Sequence, residues 1–418
     1  MSILTTSHAL RIDCLQPYLL GPIAEDVLSA RLRGRDVVDL SQANPDLGPP
    51  PKAVDSLVQA TLRPHNHRYS ASSGISRLRD CLGTWYKGRH HVDLDPASEI
   101  VVTMGSKEGL AHLLLAAANP GDTVLIPTPS YPIHSAAIFL AGAGFIGVPI
   151  HDLVENSQEE RGLLSSESHL FFERLEASYR MTYPRPKFVV VSFPHNPTTA
   201  VVDLSFWDRL VSFARRHDVF LIHDFAYSTI CFDDYLAPSL LEVPGAKDVA
   251  VELFSLSKSF GIPGWRVGFA VGNAKLISAL KKIKSYIDFG IFQPLQIAAC
   301  EILEEDNQFL TQMLGTYSAR RDVLAHGLKK MGWEFFLPKA TVFIWAAWPK
   351  SLNINDSMTM CRTLLEGADL AACPGVGFGE GGDRRVRFSL VESEKRIRQG
   401  LRKMQVLADE SNHGGGNA

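Results

Sequence analysis

The sequence has no apolar run long enough to cross a bilayer. Its longest, Ala136 to Ile150, is shorter than the ~20 residues a spanning helix needs and is broken by three glycines. It is expected to form a helix end followed by a buried strand. Cysteine is sparse: the six residues (Cys14, Cys81, Cys231, Cys300, Cys361 and Cys373) are scattered, with no pair at metal-ligand or redox spacing. That excludes a zinc module or a disulfide framework and suits a reducing compartment. Charge of one sign is not in excess, since 42 Lys and Arg face 45 Asp and Glu for a net charge of -3. No basic block is present to track a phosphate backbone, which argues against nucleic acid as a partner. The opening MSILTTSHALRIDC has no basic segment ahead of an apolar one, so no secretory leader is expected and the cytoplasm is the expected location. Internal repeats are also missing. Ser411–Ala418, with three consecutive glycines, reads as a disordered tail.

At 418 residues and 45% hydrophobic content the chain exceeds what one core holds, since single cores rarely grow past roughly 250–300 residues. Two domains are therefore expected. Short β-rich runs alternate with amphipathic segments through the middle of the chain, the pattern of a mainly parallel sheet between helices. The strand candidates are Ile100–Thr103, Thr123–Pro127, Phe145–Pro149, Phe188–Phe193, Val219–Ile222, Val249–Phe254 and Val267–Val271; Lys107–Ala118 and Phe206–His217 are typical helices between them. An N-terminal helix, about Ala24–Arg33, is followed by the Pro- and Gly-rich segment Asn44–Pro51, read as a hinge or crossing arm. After residue 300 a long helix (about Thr311–Met331), strands around Trp333–Leu337 and Val342–Ala347, another helix, a strand at Arg385–Leu390 and a last helix suggest an α+β unit. The expected division is an arm and part of the small domain at 1–48, a large α/β domain with a seven-stranded sheet at 49–300, a small α+β domain at 301–410, and the tail.

The strongest chemical signal is Ser255-Leu256-Ser257-Lys258-Ser259-Phe260, directly after an apolar strand and followed by Gly264-Trp265-Arg266-Val267-Gly268. A lysine just past a buried strand is partly desolvated, which lowers its pKa and frees its amine to condense with an aldehyde. Neighbouring hydroxyls and Arg266 would supply donors to a phosphate dianion. Met104-Gly105-Ser106-Lys107-Glu108-Gly109 joins a strand to a helix, so its backbone N–H groups face an anion at the helix N-terminus. His223-Asp224-Phe225-Ala226-Tyr227 puts a carboxylate at the carboxyl edge of the sheet, where it can keep a pyridinium nitrogen protonated, with Tyr227 near as a donor. Asn196, in Pro194-His195-Asn196-Pro197, offers an amide after another strand, and Tyr131, in Thr128-Pro129-Ser130-Tyr131-Pro132, an aromatic face for stacking. Singly, each has an ordinary alternative: a solvated loop lysine, a glycine turn, a capping aspartate, an Asn-Pro turn, a half-buried tyrosine. Jointly, they follow successive strands of one sheet in order, which independent accidents would not.

The set resembles the fold-type I, class I/II pyridoxal-5′-phosphate (PLP) aminotransferases from about Arg11 to Met404, and most of all the bacterial alanine/glutamate aminotransferase branch and its diaminopimelate aminotransferase relatives. HRYSASSGISRLR, TMGSKEGLAHLLLA, PTPSYPIH, HNPTTAVV, PGAKDVAVELFSLSKSFGIPGWRVGF, IKSYIDFG and VRFSLVE carry the likeness. The resemblance implies that Lys258 holds PLP as a Schiff base and carries the proton. It pairs Asp224 with the ring nitrogen, Asn196 and Tyr227 with the 3′ oxygen, and Tyr131 with the ring face. Gly105, Ser106, Lys107, Ser255 and Arg266, with Ser257 beside them, form the phosphate cup. Tyr69 matches a tyrosine that reaches the partner subunit's phosphate, implying a homodimer with shared sites. Arg387 matches the arginine that clamps the substrate α-carboxylate, with Ala43 and Asn196 nearby.

Departures from the family pattern gather on the substrate side. Ala43 stands where glycine is usual, Ser73 where the nearest branch carries arginine, and Ile291 and Gln293 where threonines are usual. The expected reaction is amino transfer between an α-amino acid and a 2-oxo acid. The alternative is elimination, replacement or carbon–carbon bond formation on the same frame, for example with S-adenosylmethionine. A ligand-sensing DNA-binding regulator is the reading from another class; it is not expected, since the resemblance already begins near residue 11.

Overall fold

The computed structural model describes residues 8–13, 15, 20–150, 162–304 and 308–414. Fourteen strands are present among them: β1 (Val38–Asp39), β2 (Ile100–Thr103), β3 (Thr123–Thr128), β4 (Gly144–Pro149), β5 (Leu163–Leu164), β6 (Phe188–Val191), β7 (Val201–Val202), β8 (Phe220–Asp224), β9 (Ala250–Ser255), β10 (Gly268–Gly272), β11 (Phe343–Ala346), β12 (Leu370–Ala371), β13 (Cys373–Pro374) and β14 (Val386–Ser389). Seven form the central sheet in the order β2-β10-β9-β8-β6-β3-β4. These are the seven strands read from the sequence, each within two residues at its ends. The inner ones, such as FVVV in β6 and AVELFS in β9, are apolar almost throughout because both faces are covered.

β10 runs antiparallel to both its neighbours, β2 and β9, so those two point the same way. β9, β8, β6, β3 and β4 are mutually parallel. Every strand except β10 therefore delivers its carboxyl end to one edge, and β10 begins at that edge. Alternate residues serve opposite faces. In β9, Val251 and Leu253 join a core with the helices Ser106–Ala117, Pro132–Leu140 and Ala274–Ile287, while Ala250 and Phe254 join the larger core on the other side. The helix Leu204–His217 on that larger core shows how local sequence sets an element. Asp203 accepts a hydrogen bond from Phe206 N at its start, Arg215, Arg216 and His217 crowd its negative end, and Asp218 closes it at φ 53°.

The C-terminal part holds the three-stranded antiparallel sheet β11-β14-β13 against helices Gln308–Lys330 and Ser357–Ala368, and Glu394–Gly414 packs on those two helices and on β1 and β12. β1 pairs in parallel with β12, joining the N-terminal segment to it.

Three sequence expectations need correcting. Trp333–Leu337 is not a strand: only Glu334 bridges to Ala347, and the segment does not stay paired along the open edge of β11. Gly144–Pro149 is a strand but not a buried one; β4 is an edge strand with a single neighbour, and Ile146 is 39% exposed. The closing helix continues to Gly414, beyond the Ser411 boundary expected for the tail, and 415–418 lie outside the described residues. Of the cysteines, Cys14 also lies outside them and the other five are free. Among the described residues no helix is long and apolar enough to cross a membrane.

The inward face of β9 carries one charge. Glu252 is fully buried, yet it accepts from Tyr86 Oη at 2.8 Å, Leu240 N at 2.7 Å, His223 Nδ1 at 2.7 Å and the Ser239 hydroxyl. Burial alone would push its carboxyl up; the donors, His223 foremost, hold it below the ordinary glutamate range. A network satisfied at every atom fixes the helix Ser76–His90 and the 239–242 turn to the sheet. Glu252→Leu removes the acceptor from four donors and is expected to lower unfolding free energy by about 3–5 kcal/mol, read from guanidinium unfolding at neutral pH. Because the folded pKa is depressed, the wild-type contribution is present above the unfolded glutamate value and vanishes as pH falls through the folded one. The variant and the wild type should converge in acid.

Candidate active site

A cavity of about 470 Å³ opens at the carboxyl edge of the sheet, lined by residues from five strand ends and from the strap around residue 43. Ser106 and Lys107 follow β2, Tyr131 follows β3, Ser192 and Asn196 follow β6, Asp224 ends β8 with Tyr227 beyond it, and Ser255 ends β9 with Ser257 and Lys258 beyond it. Arg266 precedes β10, so the single antiparallel strand brings its guanidinium to the same place.

The turn after β2 is built by close backbone approach. Gly105 has φ 83°, and a Cβ there would overlap the Arg266 guanidinium; a Cβ on Gly268 would lie 2.6 Å from Phe254 O and 2.7 Å from Gly105 Cα. Only glycine fits either position. Arg266 Nη2 donates to Met104 O at 3.0 Å and Nη1 lies 3.5 Å from Ser257 Oγ. The helix Ser106–Ala117 starts there, so hydroxyls, a guanidinium and a helix N-terminus converge on one anion-sized space.

Lys258 is half-buried, and its ammonium donates to Ala43 O. Burial first, then the charges of Arg387 and Arg266, bring its pKa down to about 8. At pH 7 roughly a tenth of it is then free amine, against about one part in 3000 for an ordinary lysine.

Asp224 faces the side of the sheet where Pro132–Leu140 packs. Its Oδ2 lies 3.2 Å from His134 Nε2, and His134 Nδ1 lies 2.8 Å from Ser130 Oγ. Asp224 Oδ1 is buried with no partner in the protein. Arg387 is enclosed between the rings of Phe343 and Phe378, its Cζ 4.2 and 4.9 Å from their centres. It donates through Nη1 to Asn196 Oδ1 at 2.8 Å and through Nη2 to Ser41 O at 3.1 Å, while its Nε is buried and unpartnered. Fixing Asn196 Oδ1 as an acceptor leaves its Nδ2 as the donor. His195, pushed down to about 3 by burial and by His134, stays neutral and braces this turn against Thr198 Oγ1 at 2.8 Å.

The cavity thus gathers Ala43, Ser106, Lys107, Tyr131, Asn196, Asp224, Tyr227, Ser255, Ser257, Lys258, Arg266 and Arg387. Gly105 lies under it. Tyr69 does not line it and is 91% exposed on the outer surface. Of the four departures only Ala43 reaches the cavity; Gln293 donates to Asn66 Oδ1, Ile291 packs in the larger core, and Ser73 accepts from Val102 N. A larger cleft of about 1180 Å³ along Ser76–His90 contains none of the expected residues.

Sequence reasoning missed His134, whose signal was the i, i+4 spacing from Ser130 in PTPSYPIH. It also missed the clamp on the strap: Arg320 binds Asp46 through both nitrogens at 2.7 Å and donates to Leu390 O at 3.0 Å. Nothing local marks that pair, 274 residues apart.

Comparison with known proteins agrees with this geometry. The family described as "Aminotransferase class I and II" matches residues 35–404. The glutamate-pyruvate aminotransferase AlaC of Escherichia coli is 46% identical over 397 residues, covering 95% of this chain and 93% of that protein. An LL-diaminopimelate aminotransferase of Moorella thermoacetica is 37% identical over 398 residues, covering 95% and 97%. The substrate-bound BacF structure from Bacillus subtilis superposes with a TM-score of 0.86 at 31% identity, covering 97% of this chain and 98% of that one. Amino transfer, not elimination or replacement, is the reaction these relatives' names carry. The chain belongs to the class I and II aminotransferases, enzymes that depend on pyridoxal 5′-phosphate.

Proposed function

We propose that this enzyme moves an amino group between an α-amino acid and a 2-oxo acid with Lys258 as the covalent anchor of PLP and the carrier of the proton. The observation that carries the assignment is the pair of buried, unpartnered atoms in one cavity with Lys258: Asp224 Oδ1, an acceptor, and Arg387 Nε, a donor. Buried polar atoms without partners mark a place where a ligand completes the hydrogen bonding. Asp224 suits a protonated ring nitrogen and Arg387 a carboxylate.

When bound, PLP supplies a carbonyl that captures an amine and a conjugated ring that takes up the electron pair left behind when the substrate loses its Cα proton. The protein does the rest. Asp224, oriented by His134, holds the proton on the ring nitrogen. Asn196 and Tyr227 serve the ring's 3′ oxygen, and Tyr131 its face. Ser106, Lys107, Ser255, Ser257, Arg266 and the N–H groups after Gly105 hold the phosphate. Arg387 binds the α-carboxylate beside Ala43 and Asn196, which orients the Cα–H toward Lys258. Lys258 would be the base that takes up and carries that proton.

The working unit is a cytoplasmic homodimer with shared sites. Exposed apolar residues support the dimer: Tyr69 stands against Phe289, and Tyr286, Ile287 and Leu62 are likewise at least half exposed. Residues 49–300 form the large domain and 301–410 the small one, joined by the 1–48 segment through the β1–β12 pairing. Alanine with 2-oxoglutarate is the first substrate pair to try, because the relative at 46% identity is named for glutamate and pyruvate.

Borohydride reduction of the purified enzyme should leave the cofactor covalently attached to Lys258 on peptide mapping. Without an oxo acid, each site should release one equivalent of 2-oxo acid from its amino acid. Lys258→Ala should do neither; an adduct on another lysine removes Lys258 from the chemistry. Arg387→Ala is expected to raise KM for the amino acid about 10- to 150-fold, the worth of roughly 1.5–3 kcal/mol for a charged hydrogen bond, with PLP still retained. Unchanged KM would take Arg387 out of the site. Mixing Tyr69→Phe chains with Lys258→Ala chains should recover activity above either homodimer, because one site in each hybrid is then wild type. Subunit exchange with no recovery counts against shared sites.

A further inference from the structure

The helix Ala274–Ile287 carries a lysine that ordinary stability does not require. Lys284 is completely buried, and its ammonium donates to Glu108 Oε1 at 3.0 Å and to Asp288 Oδ2 at 2.7 Å. His112 Nδ1 lies against Glu108 Oε1 and 3.5 Å from Asp288 Oδ2. Two carboxylates and an imidazole converge in a manner that would suit a cation, and the ammonium is that cation. Against the desolvation that would raise it, the hydrogen bond from His112 first and the Lys284 charge next hold Glu108 down to about 2.

Burying three such charges is costly, and an apolar replacement of similar volume is often as stable. Their placement gives them a use. Glu108 turns its other oxygen to Met104 N at 2.7 Å, and Met104 is the residue before the Gly105-Ser106-Lys107 turn. The Met104 carbonyl meanwhile holds Arg266. Asp288 turns its other oxygen to Gly290 N at 3.0 Å, and Phe289 N donates to Lys284 O at 2.9 Å. This fixes a sharp turn, with φ 53° at Phe289 and 96° at Gly290. The turn is the platform for Tyr69: the Phe289 ring meets the Tyr69 ring edge-on at 5.6 Å, and a Cβ at Gly290 would come within 2.7 Å of Ala71 O.

We propose that Lys284 is a positioning residue that couples the phosphate-binding turn of its own subunit to the Phe289–Gly290 platform, which aims Tyr69 at the partner's phosphate. The second half rests on the shared-site reading above. One ammonium then sets two phosphate contacts in two different sites.

The holoenzyme tests this through PLP release, followed by cofactor absorbance after dilution. Lys284→Met should release PLP at least tenfold faster while KM for the amino acid, measured at saturating PLP, stays within twofold. Asp288→Asn, which keeps an acceptor for Gly290 N, should shift release the same way by a few fold and serves if Lys284→Met does not fold. Wild-type release from either folded variant overturns the proposal. For the cross-subunit half, a chain carrying Lys284→Met with Lys258→Ala is paired with a wild-type chain, so that the one competent site has an intact turn of its own. Its PLP release should be at least threefold faster than wild type. A parallel hybrid carries Tyr69→Phe with Lys258→Ala. Wild-type release in the Lys284 hybrid alone removes Lys284 from the coupling. Wild-type release in both hybrids removes Tyr69 from the partner's site, and the shared-site reading fails with it.

Discussion

The cavity at the sheet edge holds an excess of positive charge that the protein itself does not neutralise. Lys107, Lys258, Arg266 and Arg387 line it against the single carboxylate of Asp224. Loss of solvent first, and the like charges of Arg387 and Arg266 next, bring the Lys258 pKa down to about 8. On the proposed assignment, a phosphate dianion at one end and a substrate carboxylate at the other would offset the excess. The rest of the fold can be understood as the means of holding these cations in place while they wait. The Glu252 network braces β8 and β9 from behind, the ring sandwich confines Arg387, and glycine packing sets Arg266.

Much of this was legible in the sequence, for identifiable reasons. The seven sheet strands show themselves because strands covered on both faces must be apolar runs, and the functional side chains follow them within a few residues. β4 deceived because its glycines and apolar residues read like an inner strand, whereas its position at the edge depends on topology. The 333–337 segment has suitable composition for a strand but pairs with the open edge of β11 only at Glu334, a matter of tertiary path that composition does not carry. His134, Arg320 and Lys284 were illegible as site residues because their meaning lies in partners distant along the chain: Asp224, Asp46 and Glu108. A lysine on an amphipathic helix carries no local mark of such a role, and the one mark on His134, its i, i+4 spacing from Ser130, does not point to Asp224.

The substrate side draws on both ends of the sequence. Ser389 N donates to Leu40 O, Arg387 to Ser41 O and Arg320 to Asp46, so the strap carrying Ala43 is held by the C-terminal part. The same strap receives the Lys258 ammonium. The C-terminal part is thereby tied to the side of the cavity proposed for the amino acid.

The two halves of the cavity tolerate change unequally. The half assigned to the cofactor depends on Gly105 and Gly268 packed together under Arg266, where a carbon added at Gly268 collides with main-chain atoms and one added at Gly105, strained at φ 83°, collides with the Arg266 guanidinium. The other half is held by side chains and a strap, which can be exchanged one at a time. A lineage, or a mutant library, that explores new amino acids therefore has an open road through residues such as Ala43 and a closed one through the glycine turn. Diversification of substrate with constancy of cofactor is built into how the atoms are packed.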